Sequence, residues 1–456
     1  MAARAYPGSR PAGAVAQRPS RLRSGHVNAV AIANALVIAG LWLWHGGLGQ
    51  RTTFAGIETA IGQITALYGT YLALIQLLLM SRAPFLDRLF GRDQLTLAHR
   101  WIGFGTVWLL VAHGLFTTLG FAMADDASPV GEFWMLITTW DFVLMATVSL
   151  GLFIAVAVTS VRLARKRISY ESWYGIHLYA YLAVALGFAH QLVVGTDFID
   201  DPLARGYWVG LYIVLIGCLL AFRFGAPIVV NLRHRFRVAN VLTEGPGVVS
   251  VYLTGRDLDR LDIRAGQYLV VRFVTGGWWR AHPYSISAEP NGHWLRFTVK
   301  ALGDDSARLD RLAVGTRVIV EGPYGNLTAD RRTARDVLLV AGGIGITPLR
   351  AILEEVAATA GVTLLYRART AADLVFRHEI ETLAERRPIV VRYLIGPRSA
   401  FASDPLGAAA IGGMVPDVAD REVYLCGPAG MMSATQAVVE GLGVPASRIH
   451  QERFDD

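Results

Sequence analysis

Two apolar stretches of the sequence carry a histidine near each end. His99 and His113 are fourteen positions apart, and His177 and His190 are thirteen apart. A helix rises about 1.5 Å per residue, so each stretch spans roughly 20 Å between its histidines. Imidazole is a common ligand of iron, and ionisable side chains inside hydrocarbon usually mark a functional site. Two such helices predict two metal sites at two depths, each with one histidine from each helix.

Haem is the metal group that this pattern favours. No CxxCH motif occurs, so haem would be b-type and held without a covalent bond. The alternative is that the histidines hydrogen-bond between helices. One difficulty is that thirteen residues make about 3.6 turns, which places His177 and His190 on different faces of an ideal helix. Tilt, a bend or a π-bulge would have to correct this.

The composition places these stretches in a membrane. The chain has 456 residues, of which 53% are hydrophobic and 17% charged, and its mean hydropathy is +0.39. The net charge of +7 is explained by cytoplasmic loops rather than by nucleic acid, since no nucleic-acid motif occurs. Cys218 and Cys426 fall in different halves and are not expected to pair.

Residues 27–224 are predicted to form a membrane all-α bundle of six helices. Loops 81–96 and 161–172 are rich in arginine, whereas the alternate loops are acidic or nearly neutral, so both termini are predicted to be cytoplasmic. His99 and His177 then share the inner level, and His113 and His190 the outer level. The six segments are 27–44, 55–80, 97–120, 138–160, 173–194 and 206–223.

Residues 1–26 are predicted to be a disordered basic arm, because they contain five arginines and no acidic residue. An organelle transit peptide is the alternative. At the other end of the chain, residues 232–333 contain short alternating strands separated by Gly and Pro turns, which predicts an antiparallel β-barrel. Residues 334–456 alternate strands with helices, which predicts an α/β domain with a parallel sheet.

The barrel region carries two motifs that suit a flavin. In His282-Pro283-Tyr284-Ser285 the tyrosine can stack on the flavin ring while the serine hydroxyl meets the N5 region. Taken alone, this motif could be the end of any strand. A glycine turn follows at Lys300-Ala-Leu-Gly303-Asp-Asp-Ser306, where lysine, serine and the start of a short helix can hold a pyrophosphate.

The α/β region carries a glycine turn and a cysteine. A hydrophobic strand runs into Gly342, Gly343 and Gly345, and a helix with Thr347 in its first turn follows. Glycines let the backbone approach a dinucleotide phosphate, whose charge is favoured at a helix N-terminus. Cys426-Gly427 ends a later strand, at the sheet edge where such folds bind ligands. The alternative for Cys426 is a buried structural residue.

In this order, the motifs resemble the ferric reductase and NADPH oxidase superfamily, nearest to its prokaryotic NADPH oxidase-like members. In that family a six-helix bis-haem domain is joined to a ferredoxin–NADP reductase-like module, and its histidine spacings are the same. The resemblance implies that His99, His113, His177 and His190 ligate two b-type haems. It implies FAD at Arg280, His282, Pro283, Tyr284, Ser285, Lys300, Gly303 and Ser306. It implies a nicotinamide dinucleotide at Gly342, Gly343, Gly345, Thr347, Cys426 and Gly427.

Two positions depart from the family pattern. Ala183 stands where oxidase-type relatives often carry an aromatic between the haems, and Thr117 stands where animal oxidases carry a histidine beyond the outer ligand. Both departures bear on the acceptor chemistry and not on haem binding.

The function that the resemblance implies is transmembrane electron transfer by an NAD(P)H oxidoreductase in the plasma (inner) membrane. Hydride from cytoplasmic NAD(P)H reaches FAD, and single electrons pass through the inner and outer haems to an external acceptor. Oxygen, giving superoxide, is favoured over ferric chelate because the motif at 282–285 and the helix spacings are closest to the oxidase branch. Arg51 could stabilise superoxide, or could be an ordinary interfacial arginine. The acidic outer loops favour iron instead. A second alternative is an electron-transfer subunit or redox sensor that serves a partner, although the sequence requires no protein partner.

Two predictions concern the nicotinamide. Arg367 and Arg369 end the second strand of the α/β region, where two guanidiniums suit a 2′-phosphate, so NADPH is predicted over NADH. The alternative is surface arginines beside a turn. Phe454, near the end of the sequence, is predicted to cover the flavin as in relatives and to hold the nicotinamide off until the ring is displaced.

Overall fold

The computed structural model describes residues 24–47, 52–165, 167–195, 199, 201–275 and 280–452. These residues divide into two compact units, a helical unit that ends at Gly225 and a second unit that begins at Ala226. Most of the predicted N-terminal arm lies outside the described residues. Arg51 and Phe454 lie outside them too, so the roles predicted for both remain predictions.

The first unit is built of helices that are apolar around most of their circumference, as expected for segments that face lipid. In the part of the chain that the structure describes, six helices are long and apolar enough to cross a membrane, which confirms the predicted bundle. The helices are α1 (Ser24–Trp44), α2 (Phe54–Met80), α3 (Pro84–Phe90), α4 (Arg92–Ala124), α5 (Pro129–Thr139), α6 (Val143–Ser160), α7 (Arg162–Arg165), α8 (Tyr170–Val194) and α9 (Pro202–Leu220). A π-helical turn, Ala221–Gly225, follows α9.

The fourth predicted segment, 138–160, is divided in the structure. Helix α5 ends at Thr139 and α6 begins at Val143, and Phe142 between them has a left-handed backbone with φ 62°. The signals for α5 were Ser128, whose side chain accepts a hydrogen bond from the Gly131 amide at 3.1 Å, and Pro129 at the first helical position. The sequence analysis treated residues 121–137 as a loop between two membrane segments and so missed this short amphipathic helix.

Helices α2 and α4 approach closely because glycines face the opposite helix. A Cβ on Gly62 would overlap Thr117, and a Cβ on Gly120 would overlap Thr59. The Gln76 amide, on α2, donates to the Thr106 hydroxyl of α4 at 2.9 Å. Small residues and interhelical hydrogen bonds are the usual means of packing helices in lipid. Helix α8 packs mainly on α6, so the two histidine-bearing helices have different principal neighbours.

The second unit begins with helix α10 (Ala226–His234) and continues into a β-barrel. Among the described residues of this region, two three-stranded antiparallel sheets have the orders β1-β2-β5 and β4-β3-β6. Bridges between Arg237 and Arg317 and between Ile286 and Phe297 join the sheets at both edges, which confirms the predicted barrel. The strands are β1 (Arg237–Gly245), β2 (Val248–Thr254), β3 (Tyr268–Phe273), β4 (His282–Ser285), β5 (Leu295–Lys300) and β6 (Val318–Tyr324). A short helix, α11 (Asp304–Ala307), follows β5.

Within residues 334–452, five parallel strands form one sheet of order β11-β10-β7-β8-β9, which confirms the predicted α/β domain. The chain runs outward from β7 in both directions, so the strand order reverses beside β7, where such sheets bind ligands. The strands are β7 (Val337–Gly342), β8 (Val362–Ala368), β9 (Ile389–Ile395), β10 (Glu422–Cys426) and β11 (Ile449–Gln451). The helices are α12 (Ile346–Val356), α13 (Arg377–Arg386), α14 (Ala408–Met414) and α15 (Ala429–Gly441).

A buried ion pair joins the barrel to the α/β domain. Arg296, on β5, is 3% exposed and donates two hydrogen bonds to the Glu379 carboxylate of α13, at 2.8 and 3.0 Å. Arg350, on α12, also contacts Glu379, at 3.0 Å. Burial alone would raise the pKa of Glu379, but the hydrogen bonds and charges of the two arginines outweigh it and hold the pKa below its usual value. Glu379 therefore stays charged at neutral pH and fixes the two domains to each other.

Candidate functional site

The structure brings the four histidines together in two pairs, one ring from α4 and one from α8 in each. The ring centres of His99 and His177 are 6.0 Å apart, and those of His113 and His190 are 6.5 Å apart. These are the pairs that the predicted helix directions place at common levels. Helix α8 is α-helical from Tyr170 to Val194, so no π-bulge is involved in bringing its two rings to α4.

The spacing within each pair fits a metal ion between the rings. A bond between a metal ion and an imidazole nitrogen is about 2 Å long, so two imidazoles on opposite sides of one ion have centres roughly 6 Å apart. Among the described residues, the buried Nδ1 atoms of His99, His177 and His190 have no hydrogen-bond partner. Unsatisfied polar atoms are costly in an apolar layer and are evidence of an additional group. Each pair of histidines could therefore hold one haem, with one imidazole from α4 and one from α8.

The surroundings of the two pairs differ. At the inner level, the Trp173 ring lies 5.0 Å from the His177 ring, and the Arg165 guanidinium lies 5.0 Å from the centre of the Trp173 ring. The Trp173 indole donates to the Ser160 hydroxyl at 3.2 Å. At the outer level, His113 Nδ1 lies 3.0 Å from the Gly62 carbonyl. Sequence reasoning missed both Trp173, which lies one helical turn before His177, and Gly62, for which no spacing signal exists.

The flavin motif occupies strand β4, which pairs with β3 in the barrel. The His282 and Tyr284 rings stack with centres 5.9 Å apart and planes inclined by 19°. Ser285 is 7% exposed, and its buried hydroxyl has no hydrogen-bond partner among the described residues. A buried hydroxyl without a partner next to stacked rings fits the polar edge of a flavin. Pro283 and Arg280 are exposed.

The predicted pyrophosphate turn is closed by its own side chain. The amides of Leu302 and Gly303 both donate to the Ser306 hydroxyl at 3.0 Å, and this hydroxyl donates to the Gly303 carbonyl at 2.9 Å. Lys300 extends its ammonium to within 3.7 Å of the Asp373 carboxylate. The turn is therefore ordered by Ser306 itself, and Lys300 supplies positive charge beside it.

The glycine turn lies between the carboxyl ends of β7 and β10. Gly342 ends β7, Gly343 has a left-handed backbone with φ 54°, and a 3₁₀ turn over Gly343–Gly345 leads into α12. A Cβ on Gly345 would overlap the Cys426 carbonyl, and a Cβ on Gly342 would overlap Met431. Only glycine fits where these two strand ends meet, so the turn leaves backbone open at the switch point of the sheet.

The groups that flank the turn are Thr347, Cys426 and Gly427. Thr347 is buried, and its hydroxyl donates to the Ile344 carbonyl at 3.0 Å, so it closes the first turn of α12. Cys426 is fully buried, and burial, with a smaller effect of the Glu452 carboxylate, raises the pKa of its thiol. The thiol is therefore protonated at neutral pH. Sequence reasoning missed Glu452, which also lies against Gly325 of the barrel.

The two arginines predicted at the end of β8 have different environments. Arg367 donates to the main-chain carbonyls of Ala368 and Leu394 at 2.6 and 2.7 Å, and its guanidinium lies 4.9 Å from the centre of the Phe401 ring. These bonds hold the ends of β8 and β9 together. Arg369 is exposed beyond the strand end.

Three protein families match successive parts of the chain. The family described as "Ferric reductase like transmembrane component" matches residues 65–188, which include His99, His113 and His177. An "FAD-binding domain" family matches residues 233–328, and an "Oxidoreductase NAD-binding domain" family matches residues 339–437. These matches follow the order of the helical bundle, the barrel and the parallel sheet.

Individual relatives match about half of the chain. A glycine betaine monooxygenase reductase subunit of Chromohalobacter salexigens is 28% identical over 49% of this chain and 65% of its own length. A flavohemoprotein of Chromobacterium violaceum is 31% identical over 48% of this chain and 60% of its own length. The FAD/NAD-binding domain of a nitric oxide dioxygenase from Vibrio cholerae O1 biovar El Tor is 28% identical, covering 49% of this chain and 99% of that one, with a TM-score of 0.41. The chain thus spans less than two thirds of the two curated relatives.

The six helices and the family matches define a multi-pass membrane protein with the domains of an NAD(P)H-dependent oxidoreductase. A ferric reductase-like membrane component joined to an FAD domain and an NAD domain matches a fusion of the ferric reductase and NADPH oxidase type, as the motifs predicted.

The glycine turn yields a test of nucleotide binding. In Gly345→Ala the new methyl group overlaps the Cys426 carbonyl, and overpacking of this kind costs about 1–3 kcal/mol. Relief of this overlap would displace the turn from the dinucleotide, so we expect NADPH to reduce the bound flavin with a KM raised roughly tenfold, which corresponds to about 1.4 kcal/mol of binding free energy. Gly413→Ala, in α14 with no atom near its Cβ, is the matched control. An unchanged KM in Gly345→Ala would contradict this account of the turn.

Proposed function

We propose that this protein transfers electrons from cytoplasmic NAD(P)H across a membrane to an acceptor on the other side. The observation that carries the proposal is the pairing of four histidines from α4 and α8, at ring separations of 6.0 and 6.5 Å, in a chain that also carries an FAD and an NAD domain. His99 and His177 would hold an inner haem, and His113 and His190 an outer haem. When bound, FAD converts two-electron hydride chemistry into single electrons, and b-type haems carry single electrons.

The roles of the chain's own side chains follow from their surroundings. Ser285 offers a buried hydroxyl to the flavin, with His282 and Tyr284 stacked beside it. The glycine turn brings open backbone to the dinucleotide. Cys426 stays a neutral thiol, so it adds no charge that would oppose hydride movement between the two rings.

The arginine-rich loops support an orientation with both termini in the cytoplasm, by the positive-inside rule, and we propose a plasma (inner) membrane. The flavin and nicotinamide domains are then on the cytoplasmic side, where NAD(P)H is available. In this orientation His113 and His190 lie toward the external side.

Oxygen is the acceptor that we propose, with superoxide as the product. The motif at 282–285 and the helix spacings support this choice, since they are closest to the oxidase branch of the resembled family. Chelated ferric iron is the second candidate, because Asp125 and Asp126 are exposed at the outer end of α4 and can attract cationic complexes. Position 117 carries a threonine, which contacts His113, so it supplies no histidine to an oxygen pocket. This does not favour oxygen as the acceptor.

The haem assignment predicts the result of single histidine replacements. Replacing His99 or His177 with leucine should remove the inner haem, and replacing His113 or His190 the outer haem, because each haem would lose one of the two histidines proposed to hold it. Haem content is measured by pyridine extraction of the purified protein. His45→Gln is the control, since His45 bonds to Asp201 at 2.5 Å and belongs to neither pair. Spectra unaffected by all four changes, or one haem per chain in the wild type, would contradict the proposal.

A preference for NADPH is proposed from Arg369, which is exposed where a ribose 2′-phosphate would lie. A hydrogen bond to a charged group contributes about 1.5–3 kcal/mol, so Arg369→Ala should raise the KM for NADPH roughly ten- to hundredfold and leave NADH unchanged. Arg386→Ala, an exposed arginine at the end of α13, is the matched control. Steady-state kinetics in which the wild type has the higher kcat/KM with NADH would refute this preference.

The acceptor is decided by NADPH oxidation with the purified, haem-loaded protein in detergent. We expect cytochrome c reduction that superoxide dismutase abolishes, and slower anaerobic reduction of ferric chelate. The reverse pattern, with no superoxide signal and rapid anaerobic iron reduction, would overturn the oxidase proposal in favour of ferric reduction. NADPH oxidation that begins only when a second protein is added would instead identify an electron-transfer subunit.

A further inference from the structure

The outer histidine pair contains one ring whose second nitrogen is held from two sides. His113 Nδ1 lies 3.0 Å from the Gly62 carbonyl oxygen of α2 and 3.2 Å from the Thr117 hydroxyl, one turn further along α4. The Nδ1 atoms of His99, His177 and His190 have no such partner among the described residues. Among the described residues, His113 is therefore the one member of the two pairs whose Nδ1 is hydrogen-bonded by the protein.

These contacts determine the tautomer of His113. A carbonyl oxygen can only accept a hydrogen bond, so Nδ1 must carry the proton that it donates to Gly62. The Thr117 hydroxyl oxygen lies within reach of the same proton and accepts the second branch of the bond. Nε2 is then left as an unprotonated nitrogen with its lone pair available to a metal.

The approach of the Gly62 carbonyl depends on the absence of a side chain. A Cβ at position 62 would overlap both the hydroxyl and the main-chain nitrogen of Thr117. Any larger residue would force α2 away from α4 and carry the carbonyl with it. Gly62 and Thr117 thus form one contact, in which close helix packing brings an acceptor to the imidazole.

We propose that Gly62 and Thr117 are positioning residues for the outer haem, which fix the tautomer of His113 and tune the outer potential. The inference rests on the proposed function, since it assigns a role toward that haem. Hydrogen bonding of the distal ring nitrogen makes the ligating imidazole more basic and stabilises the oxidised metal. The contact therefore lowers the reduction potential of the outer haem relative to one with an unbonded ligand.

The test compares two neighbouring threonines in the full-length, haem-loaded protein. Thr117→Val keeps the shape of the side chain and removes its oxygen, whereas Thr117→Ser keeps the oxygen. Thr118→Val is the matched control, because the Thr118 hydroxyl donates to the Gly114 carbonyl of its own helix at 2.7 Å. Optical redox titration and low-temperature EPR are recorded for each variant, and the step belonging to the outer haem is identified with the His190→Leu protein.

We expect Thr117→Val to raise the potential of the outer haem and to change its low-spin EPR signal, with the inner haem unchanged. Thr117→Ser should restore most of both properties, and Thr118→Val should resemble the wild type. Loss of the outer haem from Thr117→Val alone would also support positioning. Gly62→Ala should weaken the outer haem selectively, since the second-shell partner of a ligating histidine typically contributes about 10–100-fold in metal affinity.

Two outcomes would overturn the inference while leaving the proposed function intact. In the first, the reduction potential of the outer haem is the same in Thr117→Val as in the wild type. In the second, this potential shifts equally in Thr117→Val and Thr118→Val. A different result bears on the proposed function itself: a wild-type protein without two low-spin haems would remove the site that these residues are proposed to serve. Haem content is therefore measured first, on the same samples.

Discussion

Four imidazole rings in a layer that excludes water impose the main constraint on the helical unit. Each ring has two nitrogens, and a buried polar atom without a partner costs about 1–3 kcal/mol in proteins. Most helix main chain is already bonded within its own helix, so it offers the rings few partners, and the Gly62 carbonyl beside His113 is the exception described above. Two rings from α4 and α8 lie about 6 Å apart in each pair. A metal ion between them could bind one nitrogen of each ring. Helix α4 packs mainly on α2, and α8 packs mainly on α6. The sides of α4 and α8 that face each other are therefore available to the histidine pairs.

The second unit also buries polar side chains, and it satisfies them with an ion pair between two domains. Arg296 and Glu379 are drawn from the barrel and from α13, and both arginine hydrogen bonds to the carboxylate are short. Arg296 is buried while Glu379 is partly exposed, so removing Glu379 would leave a buried guanidinium without its carboxylate partner, which is destabilising. The pair therefore resists separation of the two domains. Ser285 belongs to the barrel and the glycine turn to the α/β domain. The two domains must stay together because the proposed flavin and nicotinamide rings have to lie next to each other.

Sequence reasoning predicted the elements whose signals are local. Apolar length gave the six helices, alternation gave the barrel strands, and strand–turn–helix order gave the parallel sheet. It missed α5, because an amphipathic helix of eleven residues resembles a loop in a hydropathy reading. The environment of Arg367 could not be predicted either. Its guanidinium is bound by the Leu394 carbonyl of β9, a strand that the sequence reading did not identify, so only the folded sheet shows this contact.

Partners contributed by a second helix were equally beyond the sequence. Gly62 is one of many glycines in apolar segments, and nothing in its neighbours along the chain indicates that its carbonyl reaches a ring 51 positions away. Trp173 precedes His177 by one turn and could have been noticed, since residues four apart share a helix face. Its contact with Arg165, however, depends on how the chain folds back between α6 and α8.

The thirteen-residue spacing on α8 gives its two rings different directions around the helix. At about 100° per residue, His177 and His190 differ by roughly 140° around their helix, whereas His99 and His113 on α4 differ by roughly 40°. One helix therefore cannot orient both of its rings in the same way. One ring of each pair has a further contact: Trp173, one turn earlier on α8, packs against His177 at the inner level, and Gly62 of α2 bonds to His113 at the outer level. Each pair takes one ring from α4 and one from α8, so a displacement of either helix would change the ring separation at both levels.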